Sequence, residues 1–570
     1  MSTVNITING KPLTVPAGIT VLEAAKLAGV EIPTLCHHPA LEHVGACRLC
    51  VVEVDNQPAL QPSCSYPVFE DMHVQTESER VMDMRRFVLE LLFSERNHYC
   101  MFCEMSGDCE LQTQAYNHGL VNWPYPAPHP RYPVDASRQY FLMDHNRCIL
   151  CRRCIRACGD IVANHTIGVH SRGSRTMITA DMDAPFGDST CVECGTCLQV
   201  CPTGALVDRK SAYMGRRKDV TFASSTCSFC SVGCRTLVAT RNERPLRVEG
   251  DWDGHNTGVL CIVGRFHSLD EKRNRLTTPM IRKSGTLSPA TWDEALDYIA
   301  KAVKASPKEK AKAWVTGKAL NETLDAAISA FKDKAGVEVR SLEPLPQGGP
   351  LPNGGKMADI DQADRIFIID VDLLADHRVM GYRIRRCRER EAAIILCCDS
   401  DNSMVQYATA RYPLAKLDDA LKECRPDEKV FVVYRADLPA AIREKLEALK
   451  DKATLMPLYN AANLARSMSL GLKHGAEVQE CQVAYVLARD LALSQEQRTS
   501  IRKSAFVVLH GCYDDAADIA DVVLPAPVWF EEEGALINAE GIESPVRAAA
   551  PMPEGIRAET SVLQDLAARL

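Results

Sequence analysis

The residues in this chain best suited to chemistry are cysteines, and they fall into five groups. The first is Cys36, Cys47, Cys50 and Cys64, spaced C-x10-C-x2-C-x13-C. The second is Cys100, Cys103 and Cys109, with His98 two positions before Cys100. The third, Cys148, Cys151, Cys154 and Cys158, reads C-x2-C-x2-C-x3-C, and the fourth repeats that spacing at Cys191, Cys194, Cys197 and Cys201, followed by Pro202. The fifth is Cys227, Cys230, Cys234 and Cys261. Such sets either pair as disulfides or hold metal. The total of 25 cysteines is odd, which suits a disulfide framework poorly. The start of the chain, "MSTVNITING", has no basic residues and no apolar stretch, and no run of eighteen apolar residues follows. The expectation is a cytoplasmic protein without a transmembrane segment, where thiols stay reduced. Metal ligation is therefore the leading reading.

Several soft thiolates converging on one point suit iron–sulfur clusters. The first group, a tight loop with one distant ligand, reads as a [2Fe–2S] site, with zinc as the rival. The second needs a fourth ligand, and His98 is the nearest candidate; a surface histidine is the alternative. The third and fourth groups have the duplicated spacing of a two-cluster bacterial ferredoxin, in which the fourth cysteine of each run serves the other cluster. One [4Fe–4S] cluster then takes Cys148, Cys151, Cys154 and Cys201, and the other Cys191, Cys194, Cys197 and Cys158. The fifth group reads as another [4Fe–4S] site, again with zinc as rival. Cys387, Cys397, Cys398, Cys424, Cys481 and Cys512 show no ligand spacing and read as core filler.

Nineteen of the 25 cysteines lie in residues 36–261, so a metal-rich first half precedes an ordinary globular second half. Residues 4–15 alternate around Asn9-Gly10, a hairpin signal. "TVLEAAKLAGV" offers a capping box, Thr20 with Glu23, and a stop at Gly29. Hairpin, helix and cysteine loop in that order describe a small β-grasp ferredoxin. "WPYPAPHPRYP", residues 123–133, reads as an extended linker. From about residue 290, "KAWVTG", "RIFIID", "AAIILCCD", "KVFVVY" and "AFVVLHG" are buried-strand runs, and helical stretches such as "NETLDAAISAFKDKAG" alternate with them. That alternation predicts parallel α/β architecture. Net charge is −8, which disfavours a nucleic-acid binder. The basic run Arg209–Lys218 reads as solvated surface.

The order of these groups resembles the large iron–sulfur subunit of respiratory complex I and its relatives in soluble NAD(P)-linked hydrogenases and formate dehydrogenases. "ERNHYCMFCEMSGDCELQ" and "VDASRQYFLMDHNRCILCRRCIRAC" look especially like the iron–sulfur subunit of NAD-reducing [NiFe] hydrogenases. The complex I histidine stands four positions before its first cysteine, where this chain has Arg96. His98 stands two positions before, which tilts the reading toward the hydrogenase branch. Residues 220–570 resemble the molybdopterin-oxidoreductase fold, as in "NRLTTPMIRKSGTLSPATWDEAL" and "ADVVLPAPVWFEEEGALINAEG". Here Asp370 and Asp372 stand where that family has Gly and Asn, and two carboxylates would repel a pterin pyrophosphate.

The resemblance implies a multidomain α+β and α/β chain. Its parts are a β-grasp [2Fe–2S] ferredoxin (1–78), a [4Fe–4S] domain with one histidine and three cysteine ligands (79–120), a two-cluster ferredoxin (138–210), a molybdopterin-oxidoreductase-type [4Fe–4S] domain (220–276) and a reduced α/β domain lacking the metal (277–570). It implies one [2Fe–2S] and four [4Fe–4S] clusters and no molybdopterin. FMN and NAD(P) would sit on a partner, since no G-x-G-x-x-G fingerprint occurs here. The implied partners are a flavin/NAD(P)H subunit, a small [2Fe–2S] subunit and hydrogenase or other terminal redox subunits, with soluble ferredoxin added in an electron-bifurcating assembly. The expected role is to relay electrons between the flavin/NAD(P)H-oxidising subunit and a second redox module, a [NiFe] hydrogenase. The alternatives are the complex I subunit, a formate dehydrogenase subunit with molybdenum, and a nucleic-acid-binding iron–sulfur protein.

Overall fold

The computed structural model describes residues 2–126, 131–346, 354–473, 475 and 481–570. It divides into two compact units, residues 1–221 and 222–570.

The first unit opens with β1 (Thr3–Ile8) and β2 (Lys11–Pro16), antiparallel with Ile8 opposite Lys11. The two-residue loop between them holds Asn9 at φ 49° and Gly10 at φ 78°. A right-twisted hairpin needs two left-handed residues there, and Asn-Gly supplies them at least cost. α1 (Val21–Leu27) starts at the Thr20–Glu23 capping box and ends before Gly29, at φ 71°. It buries Val21, Ala24 and Ala25 against Ile6, Ile8 and Val15. With β3 (Val51–Val54), β4 (Gln61–Pro62) and β5 (Met72–Gln75), the sheet runs β2-β1-β5-β3-β4, a β-grasp. α2 (Glu79–Glu95) and α3 (Glu110–Asn117) follow. In the Pro-rich connector, residues 127–130 lie outside the described residues.

The two cysteine runs are folded alike. Leu150 (φ 53°) and Glu193 (φ 52°) occupy matching places, and so do Arg152 (φ 59°) and Gly195 (φ 68°). The latter pair cap the short helices Arg153–Arg156 and Thr196–Val200. Three non-glycine residues held left-handed cost energy, yet the turn lets backbone N–H groups face a sulfur: Leu150 donates to Cys148 Sγ and Glu193 to Cys191 Sγ, each at 3.4 Å.

Near the start of the second unit is a three-stranded sheet, Thr221–Thr226, Arg235–Arg241 and Arg244–Gly250, the last two antiparallel. A seven-stranded sheet holds Ala311–Val315 and Phe506–Gly511, and a five-stranded parallel sheet holds Ala393–Cys397, Arg365–Ile369 and Val430–Arg435. All five strand runs read from the sequence are strands. The seven-stranded sheet departs from the parallel expectation at one edge: Met280–Lys283 pairs antiparallel with both Thr286–Pro289 and Val522–Pro525. The Ser284-Gly285 turn, with φ 51° and 87°, closes that hairpin. The stretch from Asn321 is α-helical to Ala327, continues as a π-helix over Ile328–Ala335 and stops at Gly336, φ 69°.

Candidate metal centres

The loop between α1 and β3 carries Cys36, Cys47 and Cys50, and Cys64 follows β4. Cys36, Cys50 and Cys64 are buried. The Cys47 and Cys64 thiols hydrogen-bond to Cys36 and hold its pKa far down, and Cys64 does the same to Cys50, which drops to about 7. The Cys47 N–H also points at Cys36 Sγ, 3.5 Å away. Three sulfurs of one loop and a fourth from beyond β4 thus meet at one place.

Around the second group, His98, Cys100, Cys103 and Cys109 line one cavity, with Arg147, Thr203 and Gly204. His98 Nε2 lies 3.1 Å from the Leu92 carbonyl. That acceptor places the proton on Nε2 and leaves Nδ1 with its lone pair, the arrangement a metal-bound imidazole uses. Burial pushes the His98 pKa down to about 4, so the ring is neutral. Arg96 turns elsewhere. It is 1 % exposed, donates to the His145 carbonyl at 2.7 Å and to the Thr176 carbonyl, and stacks 4.2 Å over Tyr132. It is a clamp on residues 132–176. Gly204 makes room for the site: a Cβ there would stand 2.5 Å from Cys103 Sγ.

Cys148, Cys151, Cys154 and Cys201 line a second cavity. Cys191 has Cys194 and Cys158 as charge neighbours. In the second unit, Cys227, Cys230, Cys234 and Cys261 interact, and Lys318 lies near Cys227 and Cys230. Gly264 passes Cys227 closely enough that a Cβ would sit 3.4 Å from its sulfur.

The donor chemistry fits metal. Burial pushes the thiols of Cys109, Cys191 and Cys230 up to about 12 and Cys148 to about 11. Thiols so placed lose their protons only to a cation that takes the sulfur. Among the described residues, no three or more His, Cys, Asp or Glu side chains close around a point at the spacing of one bound ion. A polynuclear centre spreads its thiolates, each on its own iron. Of the remaining cysteines, Cys387, Cys397, Cys398, Cys481 and Cys512 are buried and Cys424 is half-buried.

The sites of the first unit share walls. One apolar cluster contains Cys36 and Cys47, Cys100 and Cys109, and Cys151, packed with Leu35, Leu49, Phe93 and Ile149. A second contains Cys148, Cys154, Cys158 and Cys197. Thr203 lines both cavities. Nothing in the sequence marks Thr203, Gly204 or Arg147 as neighbours of the second group, which lies far from them along the chain.

At the C-terminal end of the strand Arg365–Ile369, Asp370 sits at φ 52° and pairs with Arg435 at 3.0 Å, and Arg435 also holds Asp437 at 2.7 Å. Asp372 caps the following turn through the Ala375 N–H and accepts from Ser403. The strand order reverses here, and open α/β sheets bind ligands at such a reversal. The expectation that Asp370 and Asp372 would repel a pyrophosphate as two bare carboxylates is revised: Arg435 partly neutralises Asp370, and its ion pairs bridge the strand ends.

Residues 1–79 match the 2Fe-2S iron-sulfur cluster binding domain, 85–122 the NADH-ubiquinone oxidoreductase-G iron-sulfur binding region, and 140–207 the ferredoxin-like domain of NADH-quinone oxidoreductase subunit 3. Residues 220–269 match the molybdopterin oxidoreductase Fe4S4 domain, and 275–423 with 436–569 match molybdopterin oxidoreductase. An NADH-quinone oxidoreductase subunit of Rhizobium meliloti is 34 % identical over 56 % of this chain and 38 % of that protein, so the match spans well under half of its length. The mitochondrial NADH-ubiquinone oxidoreductase 78 kDa subunit of Candida albicans is 27 % identical over 99 % of this chain and 82 % of its own. A chain of an NAD+-reducing [NiFe]-hydrogenase, solved in the H2-reduced state, is 36 % identical over 38 % of this chain and 91 % of its own, with a TM-score of 0.36. With its iron–sulfur domains in this order, ahead of a molybdopterin-oxidoreductase-like half, the chain is a homologue of the large iron–sulfur subunits of NADH-quinone oxidoreductase and of their 78 kDa mitochondrial counterparts.

Proposed function

We propose that this chain relays electrons, one at a time, between a flavin-containing NAD(P)H-oxidising subunit and a second redox module. The single observation that carries this is the shared wall: thiols of three sites stand in one apolar cluster. Iron–sulfur clusters, when bound, supply one-electron exchange at potentials set by charge, burial and N–H···S hydrogen bonds. The residues that would hold them are Cys36, Cys47, Cys50 and Cys64; His98, Cys100, Cys103 and Cys109; Cys148, Cys151, Cys154 and Cys201; Cys191, Cys194, Cys197 and Cys158; and Cys227, Cys230, Cys234 and Cys261. One [2Fe–2S] and four [4Fe–4S] clusters amount to about 18 iron atoms per chain. His98 contributes Nδ1, while the Leu92 carbonyl holds its other nitrogen.

The hydrogenase module is our first reading of the partner, from "ERNHYC" and the position of His98. Near full-length alignment with the 78 kDa subunit supports the NADH-quinone oxidoreductase reading equally. Tyr99, Met101 and Phe102 are exposed beside Cys100 and Cys103, Met101 by 82 %, an apolar surface suited to a docked subunit. The second half serves as scaffold without molybdopterin, because ion pairs of Asp370, Arg435 and Asp437 bridge its switch point. Among the described residues no helix is long and apolar enough to cross a membrane. Purification of the native assembly, with identification of every subunit and metal analysis, tests the proposal. The expected result is a flavoprotein and a second redox subunit, with iron and no molybdenum or tungsten. Stoichiometric molybdenum, or a chain without partners, would overturn it.

A further inference from the structure

Arg156 lies between Cys154 and Cys158 on the short helix Arg153–Arg156 and is 9 % exposed. Its guanidinium donates to the carbonyls of Glu42 and Cys36, and to that of Cys151 at 3.4 Å; Nε reaches the Arg152 carbonyl at 3.3 Å. Every one of these acceptors is a neutral carbonyl. No carboxylate among the described residues forms an ion pair with Arg156. Its neighbour Arg153 differs: Glu110 grips it with both oxygens, at 2.7 and 2.8 Å. A buried guanidinium without an anion is costly, and proteins retain one where a negative charge is supplied. Cys36 and Cys151, whose carbonyls it binds, belong to two different thiol groups. A centre with four thiolate ligands is net negative.

We propose that Arg156 is a positioning residue shared by two centres, the [2Fe–2S] site of Cys36 and the [4Fe–4S] site of Cys151, clamping their loops together and acting as the counter-ion of both. The inference rests on the cluster assignment above. Because Arg156 touches both loops, one electron lost on one side and gained on the other leaves the total charge around it unchanged. The guanidinium has no reason to move, no proton need follow, and the fixed cation favours the reduced form on both sides.

The test uses the full chain with its clusters, as Arg156→Gln and Arg156→Lys, with iron content and a redox titration read by electron paramagnetic resonance. Arg156→Gln is expected to lower the reduced-to-oxidised ratio at fixed potential about tenfold for both centres, about 59 mV each for a one-electron couple. Arg156→Lys, which keeps the charge, is expected to recover most of that shift. Unchanged ratios in Arg156→Gln with full iron, or a shift confined to one centre, would overturn the shared role. Loss of iron from both variants would overturn it too, since the residue would then serve assembly alone. Wild-type chain lacking a [2Fe–2S] signal would refute the cluster assignment instead.

Discussion

Gly204→Ala separates cluster binding from folding. The glycine lies in the loop between Cys201 and the strand Leu206–Asp208, and its φ is outside the left-handed region, so alanine suits the backbone. The added Cβ would stand 2.5 Å from Cys103 Sγ, with Arg147 Cδ and Met105 Cβ at 3.5 Å. Carbon and sulfur need roughly 3.5–4.0 Å, so the sulfur must retreat by about 1 Å or more. A lone thiol can do so by leaving its rotamer, at a cost of about 1 kcal/mol. The same movement takes Cys103 out of the cavity it shares with His98, Cys100 and Cys109. The expected outcome is a melting temperature lowered by only about 2–4 °C, with iron content down by about four atoms per chain and one resonance signal lost. The assays are calorimetry, iron analysis and low-temperature electron paramagnetic resonance. A Gly204→Ala chain with its full iron would refute the crowding argument. One that loses all its iron would refute the selectivity.

His98→Ala should remove the signal of that same site alone, and His98→Cys should retain four irons there with a shifted potential; adding Arg96→His to His98→Ala should not restore the site, because Arg96 points at the His145 and Thr176 carbonyls. Signal recovery in that double variant would place the imidazole ligand at 96. Burial, with Arg489 beside it, holds His510 down to about 3, and its Nδ1 lies 2.8 Å from the Tyr485 hydroxyl. A depressed histidine stabilises the fold above its unfolded pKa of about 6.5, and that stability drains as pH falls toward 3, at up to about 1.4 kcal/mol per unit. Denaturant melts should show this slope in wild type and lose it in His510→Asn; equal slopes would contradict it.

What could be read from the sequence was local. Asn9-Gly10, the Thr20–Glu23 box and the repeated C-x2-C-x2-C spacing each act within a few residues, so their geometry follows from residue type. The left-handed turns at Leu150, Arg152, Glu193 and Gly195 were not legible: three of the four are residues that adopt this geometry against their preference, and only the fold reveals it. Arg156 and Gly204 were invisible for another reason. Arg156 meets Cys36 across 120 positions, and Gly204 meets Cys103 only in three dimensions. The antiparallel hairpin at Met280–Pro289 was missed because its short strands carry no long apolar run, and Arg435 was missed because a partner for Asp370 cannot be picked from many arginines by spacing.

The relay itself is tested most directly with Cys151→Ser in the native assembly. Cys151 stands in the apolar cluster shared with Cys36 and Cys100, so its site is the middle of the proposed path. Stopped-flow absorbance follows flavin reduction by NAD(P)H, and a separate assay follows reduction of the terminal acceptor. The expected result is flavin reduction at the wild-type rate with onward turnover abolished. Onward turnover at the wild-type rate would contradict the relay.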